Sequence, residues 1–147
     1  MIQRMIKNKK LIQKFYEFKF NKLFQDNEKL FLAFLLNESG HDLCCVRYEP
    51  EYRYVIKDKK NFLLQKMSYG LFQIMGANLI TLRFPLKELE DFLQDINLQF
   101  RYCRMLFRKC PSTNVYENLM WWNTGTTKET KKGLIYINRI KKLVKKF

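Results

Sequence analysis

Charged residues break every apolar run in this chain well before the roughly 20 residues that a membrane-spanning helix needs. Between the charges, apolar side chains recur at three- and four-residue spacing over much of the length. A chain written this way buries its apolar atoms by forming amphipathic helices and packing them face to face. Its 147 residues, 47% of them hydrophobic, suffice for one ordinary core and not comfortably for two. The expected class is mainly α, a single helical domain with a small β-hairpin insertion and no transmembrane segment.

Residues 1–20 set Ile2, Met5, Ile6, Ile12 and Tyr16 at helical spacing with lysines between them. This predicts a basic amphipathic leader helix packed on the remaining domain, residues 21–147. A firmer helix is expected over residues 27–39, capped by Asp26, with Glu28 in its first turn and Gly40 at its end. Phe31, Phe34, Leu35 and Glu38 then share one face. In residues 43–58, Tyr52, Tyr54 and Ile56 alternate as a short strand or hairpin does. Helical spacing returns after Gly76 in Leu86, Leu89, Phe92, Leu93 and Ile96, and again in Tyr102, Cys103, Leu106 and Phe107, until Pro111. A short helix is expected before Gly125. The closing segment sets Ile137, Ile140, Leu143, Val144 and Phe147 against Lys141, Lys142, Lys145 and Lys146.

Twenty-eight Lys and Arg against fourteen Asp and Glu give a formal charge of +14. Such a chain attracts polyanions, either nucleic acid or bacterial envelope polymers, through salt-screened fields. The cations are spread along the chain, and no helix-turn-helix, RNA-recognition or zinc-finger signature is present, so nucleic acid is not the expected partner. Cys44 and Cys45 are adjacent, and neither a CxxC nor a His-rich pattern occurs; buried reduced thiols are expected, and no metal. The amino terminus lacks the apolar block of about 7–15 residues that marks a secretory signal. The expected localisation is cytoplasmic until release, or on a virion.

Among the acids, Glu38 stands apart because it ends an apolar helix on the face of Phe31, Phe34 and Leu35. Desolvation there disfavours the carboxylate and favours a group that donates a proton near neutral pH. Glycosidic cleavage needs such a donor at the leaving oxygen. Periodicity alone leaves open a solvent-facing glutamate at a helix end.

Resemblance tips that balance. Asn37-Glu38-Ser39-Gly40-His41 resembles the Glu-Ser-Gly helix end of soluble lytic transglycosylases, and Ser68-Tyr69-Gly70-Leu71-Phe72-Gln73-Ile74-Met75-Gly76 resembles their Gly-Leu-Met-Gln-Ile-Met block. Between them, Val46-Arg47-Tyr48-Glu49-Pro50-Glu51-Tyr52-Arg53-Tyr54 is similar to the Arg-Tyr-Glu-Pro segment of a phage and prophage subgroup. Downstream, Trp121-Trp122-Asn123-Thr124-Gly125 stands where the family has Ala-Tyr-Asn-x-Gly, and Tyr136-Ile137-Asn138-Arg139-Ile140 resembles its closing helix. The similarity covers about residues 24–140. It implies the α+β lysozyme-like fold, with Glu38 as acid and then base.

The resemblance further implies a saccharide cleft lined by Ser39, Ser68, Tyr69, Gln73, Met75, Trp122 and Asn123, with Arg47 and Glu49 as polar lining from the insertion. Each has a plainer reading. Gln73 can satisfy backbone groups at a turn, Met75 can be core, and Gly70 can serve a close backbone approach. His41 lacks a partner pattern for catalysis. Trp122 replaces the family's cleft tyrosine, keeping an aromatic platform but losing the phenolic oxygen.

The family chemistry would cleave the MurNAc-GlcNAc β-1,4 bond of peptidoglycan glycan strands, by a monomer and without cofactor or metal. Two-carboxylate hydrolases need a second acid. In goose-type lysozymes one follows the Gln-containing block, where this chain has Met75. Asp42, Glu49, Glu51 and Asp58 remain as candidates. Without one, the muramyl hydroxyl is the nucleophile and the product is a 1,6-anhydro-muramyl end. The alternatives are a lysozyme-type hydrolase of the same bond and a non-catalytic basic binding module. Lys7, Lys9, Lys10 and the four carboxy-terminal lysines are expected to hold the enzyme on the anionic envelope.

Overall fold

Helical periodicity in the leader becomes α1 (Ile2–Glu17) in a computed structural model that describes residues 1–57 and 60–147. The face that packs is not the one bearing Ile2, Met5 and Ile6. Leu11 and Phe15 are buried, whereas Ile2, Met5 and Ile6 are 73%, 65% and 64% exposed. Aromatic contact decides the rotation: the Phe15 ring lies 4.7 Å from Phe31 and 6.1 Å from Phe24. Each buried phenyl contributes roughly 1.5–3 kcal/mol, more than partly covered aliphatics would. Tyr16 donates to the Glu28 carboxylate at 2.6 Å.

The chain is mainly helical with one small antiparallel sheet, and it divides into two compact units. The first unit comprises residues 1–37 and 104–147, the second residues 38–103. After α1 comes the short α2 (Phe20–Leu23) and then α3 (Glu28–Ser39). Asn27, not Asp26, caps α3: its Oδ1 accepts from Leu30 N at 3.0 Å, while Asp26 Oδ1 accepts from Asn21 Nδ2. Asp26 sits at φ 59, one residue too early to reach the helix amides. Leu30 through Leu35 are all buried, so this stretch of α3 is a core helix rather than a one-faced one. Phe20, Phe24, Phe31, Phe34 and Phe107 form the aromatic core of the first unit.

That unit closes with α8 (Val115–Thr124) and α9 (Lys131–Val144), which pack on each other. Asn114 caps α8 by accepting from Tyr116 N and Glu117 N, and Gly125 ends it at φ 81. Thr130 caps α9 through Gly133 N. Gly133 keeps the helices close, since a Cβ there would lie 3.3 Å from Met120 Sδ. On α9, Ile137 and Ile140 are buried and Lys141, Lys142, Lys145 and Lys146 are exposed, as the spacing requires.

In the second unit, β1 (Val46–Tyr48), β2 (Met67–Tyr69) and β3 (Ile74–Met75) form the sheet in that order. The stretch holding Tyr52, Tyr54 and Ile56 is not a strand. Alternation there has no buried face to serve, Tyr54 being 62% exposed. Its backbone is held instead by Gln65, from α4 (Phe62–Gln65), whose carboxamide bonds both N and O of Ile56. The unit continues through α5 (Gly76–Thr81), a 3-10 turn at Leu86–Glu88, α6 (Leu89–Gln94) and α7 (Ile96–Phe107). Asp95 caps α7 through Asn97 N and Leu98 N. No disulfide joins the four cysteines; Cys103 is buried as expected, but Cys44 is exposed, its thiol donating to Leu93 O at 3.3 Å. No helix among the described residues is long and apolar enough to cross a membrane.

Candidate active site

Glu38 lies one residue from the end of α3, half-buried, with the half-buried Leu36 and Asn37 between it and the buried run that ends at Leu35. The corner that follows is tight. Ser39 and His41 are buried, and Gly40 and His41 both take positive φ, at 64° and 63°. A Cβ on Gly40 would meet nothing within 4 Å, so the corner faces open space beside the carboxylate's helix end. Ser39 O accepts from Asp42 N, and the Asp42 carboxylate accepts from Cys44 N at 2.9 Å, which carries the chain from α3 towards β1.

The sheet register places three expected site residues side by side: Arg47 pairs with Ser68, and Ser68 with Met75. Cross-strand partners share a face. Arg47 is exposed, Met75 half-buried and Ser68 buried. Beyond β2 the chain turns through Gly70 at φ 82 and Gln73 at φ 53 into β3. Gln73 is 8% exposed, and its carboxamide is spent on that turn. Nε2 donates to Cys45 O at 3.1 Å and Gly70 O at 2.9 Å, while Oε1 accepts from Ser68 Oγ at 2.6 Å. Both amide hydrogens are used, so Gln73 holds the turn, and Ser68 keeps only acceptor capacity.

A second side-chain amide completes this arrangement. Gln99, on α7 and fully buried, accepts from Leu71 N at 2.8 Å and donates to Leu43 O and Phe92 O, each at 2.9 Å. Gly70 is required here, because a Cβ would collide with the Gln99 carboxamide. Gln99 is not among the site residues expected from the sequence. Its signal was a polar residue on the apolar face of α7, among Ile96, Phe100 and Cys103.

Tyr69 points inward: it is 3% exposed and donates to Leu64 O at 3.1 Å. Burial pushes its phenol up to about 12. The unfolded chain ionises this group near pH 10 while the folded chain keeps it protonated. Its contribution to stability is therefore intact below about pH 10 and is lost as pH climbs towards about 12. The urea midpoint should fall across that window more steeply for the parent than for Tyr69→Phe. Parallel slopes would remove Tyr69 from the alkaline transition.

Trp122 and Asn123 belong to the first unit. The Trp122 indole stacks on Phe107 at 4.7 Å and 13° and meets Phe34 edge-on at 6.1 Å. One indole face is thus committed to the core, and the residue stays half-exposed, with Asn123 exposed beside it. Of the second-carboxylate candidates, Glu49 is half-buried, next to β1, with its N bonded to Lys66 O at 2.7 Å. Asp42 and Glu51 are exposed, and Asp58 lies outside the described residues. No group of three or more His, Cys, Asp or Glu placed to hold a metal occurs among the described residues. Comparison with protein-family models, curated proteins and solved structures found no match.

Proposed function

We propose that this chain is a peptidoglycan-cleaving glycosidase of the lytic transglycosylase type, with Glu38 as its acid and base. The observation that carries the reading is the position of Glu38, a half-buried carboxylate ending a helix whose preceding residues, Leu30 to Leu35, are all buried. The second unit also holds the turn built on Ser68, Gly70 and Gln73, the other half of the motif pair. In this reading Glu38 protonates the oxygen leaving the MurNAc anomeric carbon. The muramyl C6 hydroxyl then attacks that carbon and returns its proton to the Glu38 carboxylate. The glycosidic bond breaks, an internal C1–O6 acetal bond forms in its place, and no water is consumed.

Gln73 and Ser68 enter as positioning residues. Their side chains are bonded to one another and to backbone, so they shape the turn rather than bind sugar. Met75, cross-strand from Ser68, supplies no carboxylate for a water nucleophile. Mass spectrometry of fragments released from purified peptidoglycan tests the reading. Anhydro-muramyl ends, each lighter than a reducing end by one water, are the expected result. Reducing ends alone would make the enzyme a hydrolase, with Glu49 and then Asp42 to be tested as the second acid. No release of muropeptides would overturn the enzymatic reading.

A further inference from the structure

We infer that the amino-terminal half of α1 is an interfacial anchor for an anionic lipid bilayer. The helix carries two apolar faces. Leu11 and Phe15 are held in the core of the first unit, whereas Ile2, Met5 and Ile6 stand 73%, 65% and 64% exposed on a different side. At 100° per residue these three fall within one arc of the helix. Lys9 falls inside that arc, where its alkyl stem can lie along the stripe and lift the ammonium towards headgroups. Lys10, exposed, borders it, and Lys7, also exposed, lies further round the helix towards the side of Leu11.

The charge around the stripe is of one sign. No acidic residue precedes Glu17 in the chain, and the ion pair of α1 among the described residues is Lys14 with Glu17, at the far end of the helix. Arg4 sits 5.6 Å over the Phe147 ring, which brings the exposed Lys145 and Lys146 to the same end of the unit. A nucleic acid would take these cations and leave Ile2, Met5 and Ile6 in water. An anionic bilayer takes both, with the apolar side chains entering the headgroup boundary and the lysines meeting phosphates. The inference is independent of the peptidoglycan reading, and lipid vesicles contain no glycan.

The test is co-sedimentation of the full chain with mixed phosphatidylcholine and phosphatidylglycerol vesicles, with pure phosphatidylcholine vesicles and duplex DNA alongside. The parent should bind the anionic vesicles. Lys7→Gln, Lys9→Gln and Lys10→Gln together should weaken that binding about a hundredfold at low salt, roughly fivefold for each lysine. Met5→Ser with Ile6→Ser leaves the charge unchanged and should abolish the binding that survives at high salt, with an unaltered melting temperature. A serine variant that binds like the parent across the salt series would reduce the helix to electrostatic adsorption and overturn the anchor. Binding to DNA without binding to anionic vesicles, or binding to neither, would overturn it as well.

Discussion

Glu38→Gln is expected to lower the rate of peptidoglycan cleavage by about a hundredfold to ten-thousandfold, the usual contribution of a positioned general acid and base. Glutamine keeps the length and shape of the side chain and much of its hydrogen bonding, but it neither gives up nor recovers a proton. The residue is half-buried at the end of α3, where the helix's register is set by the buried run from Leu30 to Leu35. The fold should therefore be untouched. Loss of turbidity in a suspension of purified sacculi measures the rate, and a thermal melt followed by circular dichroism checks the fold. Activity retained at an unchanged melting temperature would move the acid elsewhere, as would Asp42→Asn or Glu49→Gln proving to be the fatal substitution.

The long helices could be read from the sequence because a repeated period averages over local exceptions. For α9 the period also gave the correct face: Ile137 and Ile140 go inward and the lysines outward. For α1 it gave the helix and the wrong face, since spacing counts Ile2, Met5 and Ile6 as core. What holds α1 is a set of phenyl rings on α3 and on the segment before it, contacts that no local window contains. Strands of two or three residues carry no period, so Met67–Tyr69 and Ile74–Met75 were visible only as part of a motif. At the candidate site the residue types were legible and their bonding directions were not. Gln73, Ser68 and Tyr69 were expected at a cleft surface, yet their polar atoms face one another or the backbone. A polar side chain beside a tight turn serves the buried amides and carbonyls first, because leaving them unpaired costs about 1–3 kcal/mol each.

The same reasoning makes Gln99→Leu the most damaging neutral substitution in the second unit. Leucine has nearly the volume of glutamine, so little cavity is created. The loss lies in three backbone groups, Leu71 N, Leu43 O and Phe92 O, which are left in an interior where Gln99 itself is fully buried. At about 1–3 kcal/mol for each unsatisfied group, and with partial relaxation, the expected destabilisation is about 3–6 kcal/mol. That is a large fraction of the roughly 5–15 kcal/mol that holds a typical domain folded. The midpoint of urea unfolding should drop by about 2 M, given a slope of about 1–3 kcal/mol/M. Gln99→Glu should fare no better, since it replaces the amide donor with an acceptor facing two carbonyl oxygens. The bonds join Leu43, Phe92 and the Gly70 turn, so amide exchange should accelerate at Leu71 and Gln73 before it does in the aromatic core of the first unit. A variant whose midpoint stays near the parent's would mean that solvent takes over the orphaned groups, and Gln99 would then not be what fixes the turn. Activity lost together with the midpoint reports a disassembled turn, whereas activity lost from Glu38→Gln at an unchanged midpoint reports missing proton transfer.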